Sequence, residues 1–184
     1  MSGWGSSGQS AGGRQAGLAS ARNLVTSLAS GAQPRPIAVG WHLRPDERCY
    51  LSQQGQVYQY LEGDGSYVHK TRVGFGFLGL AVAAGTAAGN KVREGRASAE
   101  AAARYRLVEQ GPMYLTDQRL SVQGSAQWID LWHSNVRASS CDGEAINLTV
   151  ADLPPIQLRV WAADYWYVLF RWLAHNELVQ LPPF

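Results

Sequence analysis

"GPMYLTDQRLSVQG", residues 111–124, reads as two strands and the turn between them. Tyr, Leu and Val suit a half-buried pleated surface. Thr116 and Arg119 are placed to pin the turn, with Arg119 pairing to a carboxylate such as Asp117 or Asp130. Downstream the strand texture continues past Gly124. In "AQWIDLWHSNV" Trp128, Asp130 and Trp132 alternate with Ile129 and Leu131, the period of two that a strand requires. "CDGE" at 141–144 is a hairpin-turn signal. "AINLTV" alternates Ile146, Leu148 and Val150, and "IQLRVW" alternates Ile156, Leu158 and Val160. The last periodic stretch changes to helical spacing. Ala162, Tyr165, Trp166, Leu169, Trp172 and Leu173 recur at three- and four-residue intervals, the apolar face of an amphipathic helix. Asp164 falls in its first turn, where the helix dipole favours an anion. Trp161, Trp166 and Trp172 are expected to fill the core from this helix.

Upstream, "RCYLSQQGQVYQYLEGDGSYVHKTRV" is rich in Tyr and Val and punctuated by Gly55 and by Gly-Asp-Gly at 63–65, which reads as three short strands. The uncharged run "GFGFLGLAVAAGTAAG" follows at 74–89, then "NKVREGRASAEAAARYRLVE", full of good helix formers. A helical insertion is therefore expected over about 74–108, ended by Gly111-Pro112. Residues 1–37 read as a disordered Gly/Ser-rich leader with a short helix over 17–30. Residues 38–181 read as one domain. Strands in runs argue for antiparallel pairing rather than βαβ units. The expected fold is mainly β (α+β): an antiparallel β-sandwich or partly open barrel of about seven strands, capped by the C-terminal amphipathic helix.

With this order in view, the segment Gly111, Met113, Tyr114, Leu115, Thr116, Arg119, Leu120 resembles the pattern G-x-[LMV]-[YV]-L-T-x-x-R-L of GRAM and bacterial pleckstrin-homology-like domains. Trp128 in the next strand, the late Asp142-Gly143 hairpin, the closing helix and "HLRPDERCYL" at 42–51, with its Leu-x-x-x-Glu, are similar to that superfamily too. The resemblance covers roughly 41–179, and 73–110 departs from it by its length. It implies a module that binds membranes, phosphoinositides or proteins, and no catalysis. Leu115, Thr116, Arg119, Leu120 and Trp128 would be structural residues of the motif.

With 184 residues, 46% hydrophobic and 16% charged, the chain has the composition of a globular domain. A formal charge of +2 does not by itself argue for nucleic acid, and the aromatics are not interleaved with basic residues as a base-stacking platform requires. Gly74, Gly76 and Gly79 spell G-x-G-x-x-G, but a dinucleotide fingerprint needs a preceding buried parallel strand and surrounding βαβ units. His42, His69, His133 and His175 are scattered without metal-ligand spacing, and no nucleophile motif stands beside a base. No catalytic residue, cofactor or metal is expected. Cys49 and Cys141 read as free packing residues, a single disulfide being the alternative.

The candidate contacts to lipid or another anion are His69, Lys70 and Arg72 before the apolar run and Lys91, Arg93 and Arg96 after it. Ala81, Gly85 and Gly89 repeat small residues at four-residue intervals, a stripe that admits close approach of another backbone. The functional expectation is a non-enzymatic binding or scaffolding module at an anionic membrane surface or on a protein partner. The alternative is a self-associating or membrane-integrated structural protein that uses 73–89. No basic n-region precedes an apolar h-region, so the expected location is the cytoplasm or its membrane face.

Overall fold

The turn that opens the sequence reading also organises the structure. This is a computed structural model describing residues 11–61, 104–125 and 127–181. Helix α1 spans Ala11–Ala29. The strands are β1 (Cys49–Leu61), β2 (Arg104–Thr116), β3 (Arg119–Gln123), β4 (Trp128–Trp132), β5 (Val136–Cys141), β6 (Ile146–Val150) and β7 (Ile156–Val160). A short 3-10 turn, His133–Asn135, joins β4 to β5, and helix α2 spans Ala163–His175. The strands form one antiparallel sheet in the order β4-β3-β2-β1-β7-β6-β5.

That order forces the sheet to curl. Seven strands laid flat would put the outermost pair roughly 29 Å apart. β4 and β5 are that pair, yet the chain from Trp132 to Val136 reaches at most about 14 Å. The sheet is accordingly a half-barrel whose two edges meet at the 3-10 turn. Its inner wall is made of Met113 and Leu115 on β2 and Leu120 and Val122 on β3, together with residues of the alternating sets read in the sequence, Leu131 on β4, Ile146 and Leu148 on β6, and Ile156 and Leu158 on β7. α2 lays Trp166, Leu169 and Phe170 into this wall. The Trp166 indole N–H is the polar atom that such burial has to satisfy, and it donates to Gln53 Oε1 at 3.0 Å. Asn176, in the left-handed region with φ 54°, ends the helix.

α1 packs on the other side of α2. Ala21 and Leu28 are buried there against Val168, with Leu24, Val25, Tyr165 and Trp172 around them. A β-carbon on Gly17 would lie 3.0 Å from the Ala162 Cα, so the two helices meet backbone to backbone near the start of α2. Arg14 ties α1 to the β5–β6 turn, donating to the Asp142 carbonyl at 2.8 Å.

Several expectations need correction. The helix begins at Ala11, so residues 11–16 belong to a docked element and not to a disordered leader. Residues 104–108, expected as the end of a helical insertion, are strand. Helix-forming composition is a weak prior, and here pairing with β1 from Leu61↔Arg104 onward overrides it. Gly111-Pro112 stops no helix; both lie inside β2, and the β3 pairing ends at Met113, just short of the proline. β1 is a single strand of 13 residues rather than two short ones divided at Gly55. Of the three late tryptophans only Trp166 fills the half-barrel; Trp172 packs with α1, and Trp161 is 56% exposed. The rest of the insertion, with the apolar run 74–89, lies outside the described residues, as do residues 1–10. Among the described residues no helix is long and apolar enough to cross a membrane.

Candidate functional site

Residues 38–48 run across the outer face of β2, β3 and β4 before the chain enters β1, where the Ile37 amide donates to the Cys49 carbonyl. Their key feature is a turn at Arg44–Glu47. Pro45 suits its second position, Asp46 adopts φ 65°, and Glu47 N–H donates to the Arg44 carbonyl at 3.1 Å. The turn drives the Glu47 carboxylate down onto β3, where it meets Arg119. The guanidinium grips it with two bonds, Nε to Oε1 at 2.9 Å and Nη2 to Oε2 at 3.0 Å. Nη1 donates to Asp130 Oδ2 at 2.8 Å, and Ser121 Oγ donates to Asp130 Oδ1 at 2.6 Å. Each guanidinium nitrogen therefore has a carboxylate partner, the arrangement in which arginine ion pairs are strongest.

The cluster is buried but for one rim. The side chains of Glu47 and Arg119 are 0% and 9% exposed, and that of Asp130 is 30% exposed. Burial alone would raise the Glu47 carboxyl, but the hydrogen bonds from Arg119 and from the Arg44 amide outweigh it and hold the group below its ordinary value. Indole rings close the guanidinium in on two sides: Trp132 at 4.8 Å and Trp41 at 5.2 Å from Cζ. Arg44 lies over Trp132 as well, at 4.0 Å. Trp41 in turn meets Trp128 at 4.9 Å between ring centroids and Tyr114 at 5.4 Å. Between these rings and Asp130 opens a recess of about 260 Å³, lined by Trp41, His42, Arg119, Trp128 and Asp130.

The motif residues of the sequence thus converge at this corner. Leu115 and Leu120 are paired across β2 and β3 and point into the core. Thr116 pins the turn as expected: its hydroxyl accepts from the Arg119 and Gln118 amides and donates to the Arg119 carbonyl. Of the two carboxylates expected for Arg119, Asp130 is a partner; Asp117 instead accepts from the Arg48 amide at 3.0 Å. Glu47 was missed as a partner. The signal was present in Leu43-x-x-x-Glu47, but only the fold joins that piece to Arg119. Trp128 stands on the outer face, 38% exposed.

A second place stands out at the far end of β1 and β2. Around and beyond the last β7 pair, Gln59↔Ile156, the ends of the two strands, Tyr58–Leu61 and Arg104–Leu107, form an arm, along which the Tyr60 amide still donates to the Pro155 carbonyl at 2.8 Å. Its outer face carries Tyr60 opposite Tyr105 and Tyr58 opposite Leu107. Tyr60, Tyr105 and Leu107 are 36%, 37% and 47% exposed, and the two tyrosine rings meet edge-on at 5.4 Å. A bulge between Val57 and Tyr58 in the β1–β2 pairing adds local twist at the base of the arm. Arg159 sits over the Tyr58 ring at 4.6 Å, and Arg104 is exposed at the tip. Under the arm, at the Ile156 end of β7, an apolar hollow is lined by Val57, Val108, Ile129 and Leu153. The sequence-level candidates His69, Lys70, Arg72, Lys91, Arg93 and Arg96, and the stripe Ala81, Gly85 and Gly89, lie outside the described residues.

Among the described residues no three His, Cys, Asp or Glu side chains gather as metal ligands would, and Cys49 and Cys141 are both free. No family model and no curated protein matches this sequence. A solved C-terminal domain of an unknown protein from Leishmania infantum is similar over 38% of this chain and 71% of that one, at 17% identity and a TM-score of 0.32.

Proposed function

We propose that the chain is a non-enzymatic binding module of the pleckstrin-homology-like kind, working at an anionic membrane surface on the cytoplasmic side. The observation that carries this reading is the β1–β2 arm. Tyr60, Tyr105 and Leu107 are exposed together on one face, beside Arg104 and Arg159. Aromatic rings with a polar tip partition to the headgroup level, and arginines beside them gain from anionic lipid. The sequence between the two strands of the arm adds His69, Lys70, Arg72, Lys91, Arg93 and Arg96 around the uncharged run 74–89. In flotation, the full chain is expected to rise with phosphatidylserine-containing vesicles at low salt and to stay down with phosphatidylcholine alone or at high salt. Replacing Tyr60, Tyr105 and Leu107 together by serine should weaken that association about tenfold or more. Absence of flotation at low salt rejects the proposal.

A further inference from the structure

The recess on the outer face is lined by two indole rings, His42, Arg119 and Asp130, and the charges of the ion cluster beneath it do not cancel. In that cluster one arginine, Arg119 on β3, stands against two carboxylates, Glu47 and Asp130. Arg119 is fully engaged, with a carboxylate oxygen on each of its three nitrogens. Glu47 is sealed from solvent, so the excess negative charge reaches the surface at Asp130. An incoming anion would meet that carboxylate and would have to draw Arg119 away from it. An incoming cation meets the same carboxylate together with the exposed part of Trp128, whose ring also packs on Trp41 and Tyr114; a carboxylate beside an indole favours guanidinium and ammonium groups. A volume of about 260 Å³ lies below the range of drug-sized pockets and suits one side-chain head.

The position of the recess indicates how such a head is delivered. β4 is an outermost strand of the sheet and, among the described residues, pairs with β3 alone. An unpaired strand edge offers a row of amides and carbonyls to another extended chain. A strand added there would place alternate side chains on the face that carries Trp128, Asp130 and Trp132, and the others on the inner side with Ile129 and Leu131. We propose that the recess holds an arginine or lysine side chain of an extended peptide segment that adds to the open edge of β4.

The full chain is titrated against a dye-labelled pentapeptide of sequence serine–valine–arginine–valine–serine, followed by fluorescence anisotropy. A second peptide carries glutamate in place of the arginine, and arginine amide serves as a free-cation competitor. The arginine peptide should bind about tenfold or more tighter than the glutamate peptide. Trp128→Ala, which removes a ring packed on Trp41 and Tyr114 and keeps every ion pair, should weaken binding about fivefold or more, with the melting temperature lowered only as the loss of an aromatic contact requires. Asp130→Asn should weaken it too. Equal binding of the two peptides, binding indifferent to Trp128→Ala, or no binding overturns the proposal. Competition by arginine amide at the concentration of the peptide itself would remove the strand edge from the site and overturns it as well. Flotation with vesicles should be unaffected by Trp128→Ala, so the two proposals fail separately.

Discussion

Arg119 ties three parts of the fold together, because its carboxylate partners arrive from the crossing segment and from β4. Arg119→Leu leaves Glu47 buried and without its counter-ion, and about 3–5 kcal/mol of stability should be lost in urea denaturation. Asp130→Asn, at the wetter rim, should cost only about 1 kcal/mol. Glu47 is held below its ordinary value of 4.5, so its contribution is present above that pH and is lost as pH falls through the lowered folded value. His133 acts earlier on the same titration. It is 7% exposed, meets Phe170 edge-on at 5.3 Å, and neither ring nitrogen has a partner among the described residues. Burial first, then the neighbouring His175, lowers it from 6.5 to about 4, with Glu47 opposing. The unfolded chain takes up this proton before the folded one does, so stability falls from about pH 6.5 downward and levels off below about 4. At pH 5 the penalty is about 2 kcal/mol. His133→Leu should remove it, and urea midpoints at pH 7 and pH 5 should then lie closer together than in the parent. Arg119 was legible as an ion-pairing residue because its turn and Asp130 are neighbours in sequence. Glu47 was not, since residue-level patterns carry no information on which distant segment crosses a sheet face.

At the scale of elements, β1 and β2 owe their length to two glycines that face each other, Gly55↔Gly111. A β-carbon at Gly55 would collide with Met113 Sδ and approach Val160, and one at Gly111 would run into the Gln123 carbonyl oxygen. Gly55→Val and Gly111→Val should each cost about 1–3 kcal/mol or more, read as lowered melting temperatures. Gly40→Ala, with open space around it, should leave melting unchanged. Read locally, those glycines are turn and stop signals; their real cause, close approach inside a curled sheet, is a tertiary fact. α1 was legible over 17–30 by its leucine spacing. Its first residues were not, because Gly and Ser content signals disorder only when nothing waits to receive the chain. Leu28 does have a receiver, and Leu28→Ala should cost about 2–4 kcal/mol of local stability. Amide hydrogen exchange should show α1 losing protection while the sheet keeps its own.

For the molecule as a whole, the strand run, the antiparallel character, the closing helix and most of the inner wall were readable, since period-two alternation reports burial directly. The order of strands was not readable, and neither was the split of tryptophans between core, helix interface and surface. The outer-face recess joins Arg119, Trp128 and Asp130, each of which stood out in its own stretch, to Trp41 and His42, which did not. The sheet order carries one more consequence, for synthesis. β1 pairs along Gly55–Gln59 with Val160–Ile156, about 100 residues further on. At 5–20 residues per second, a ribosome takes roughly 5–20 seconds to deliver that partner. Throughout that interval the nascent chain presents one side of β1 with no neighbour. Translation pauses that lengthen the interval should raise the demand for chaperones, and those that come after Val160 should not.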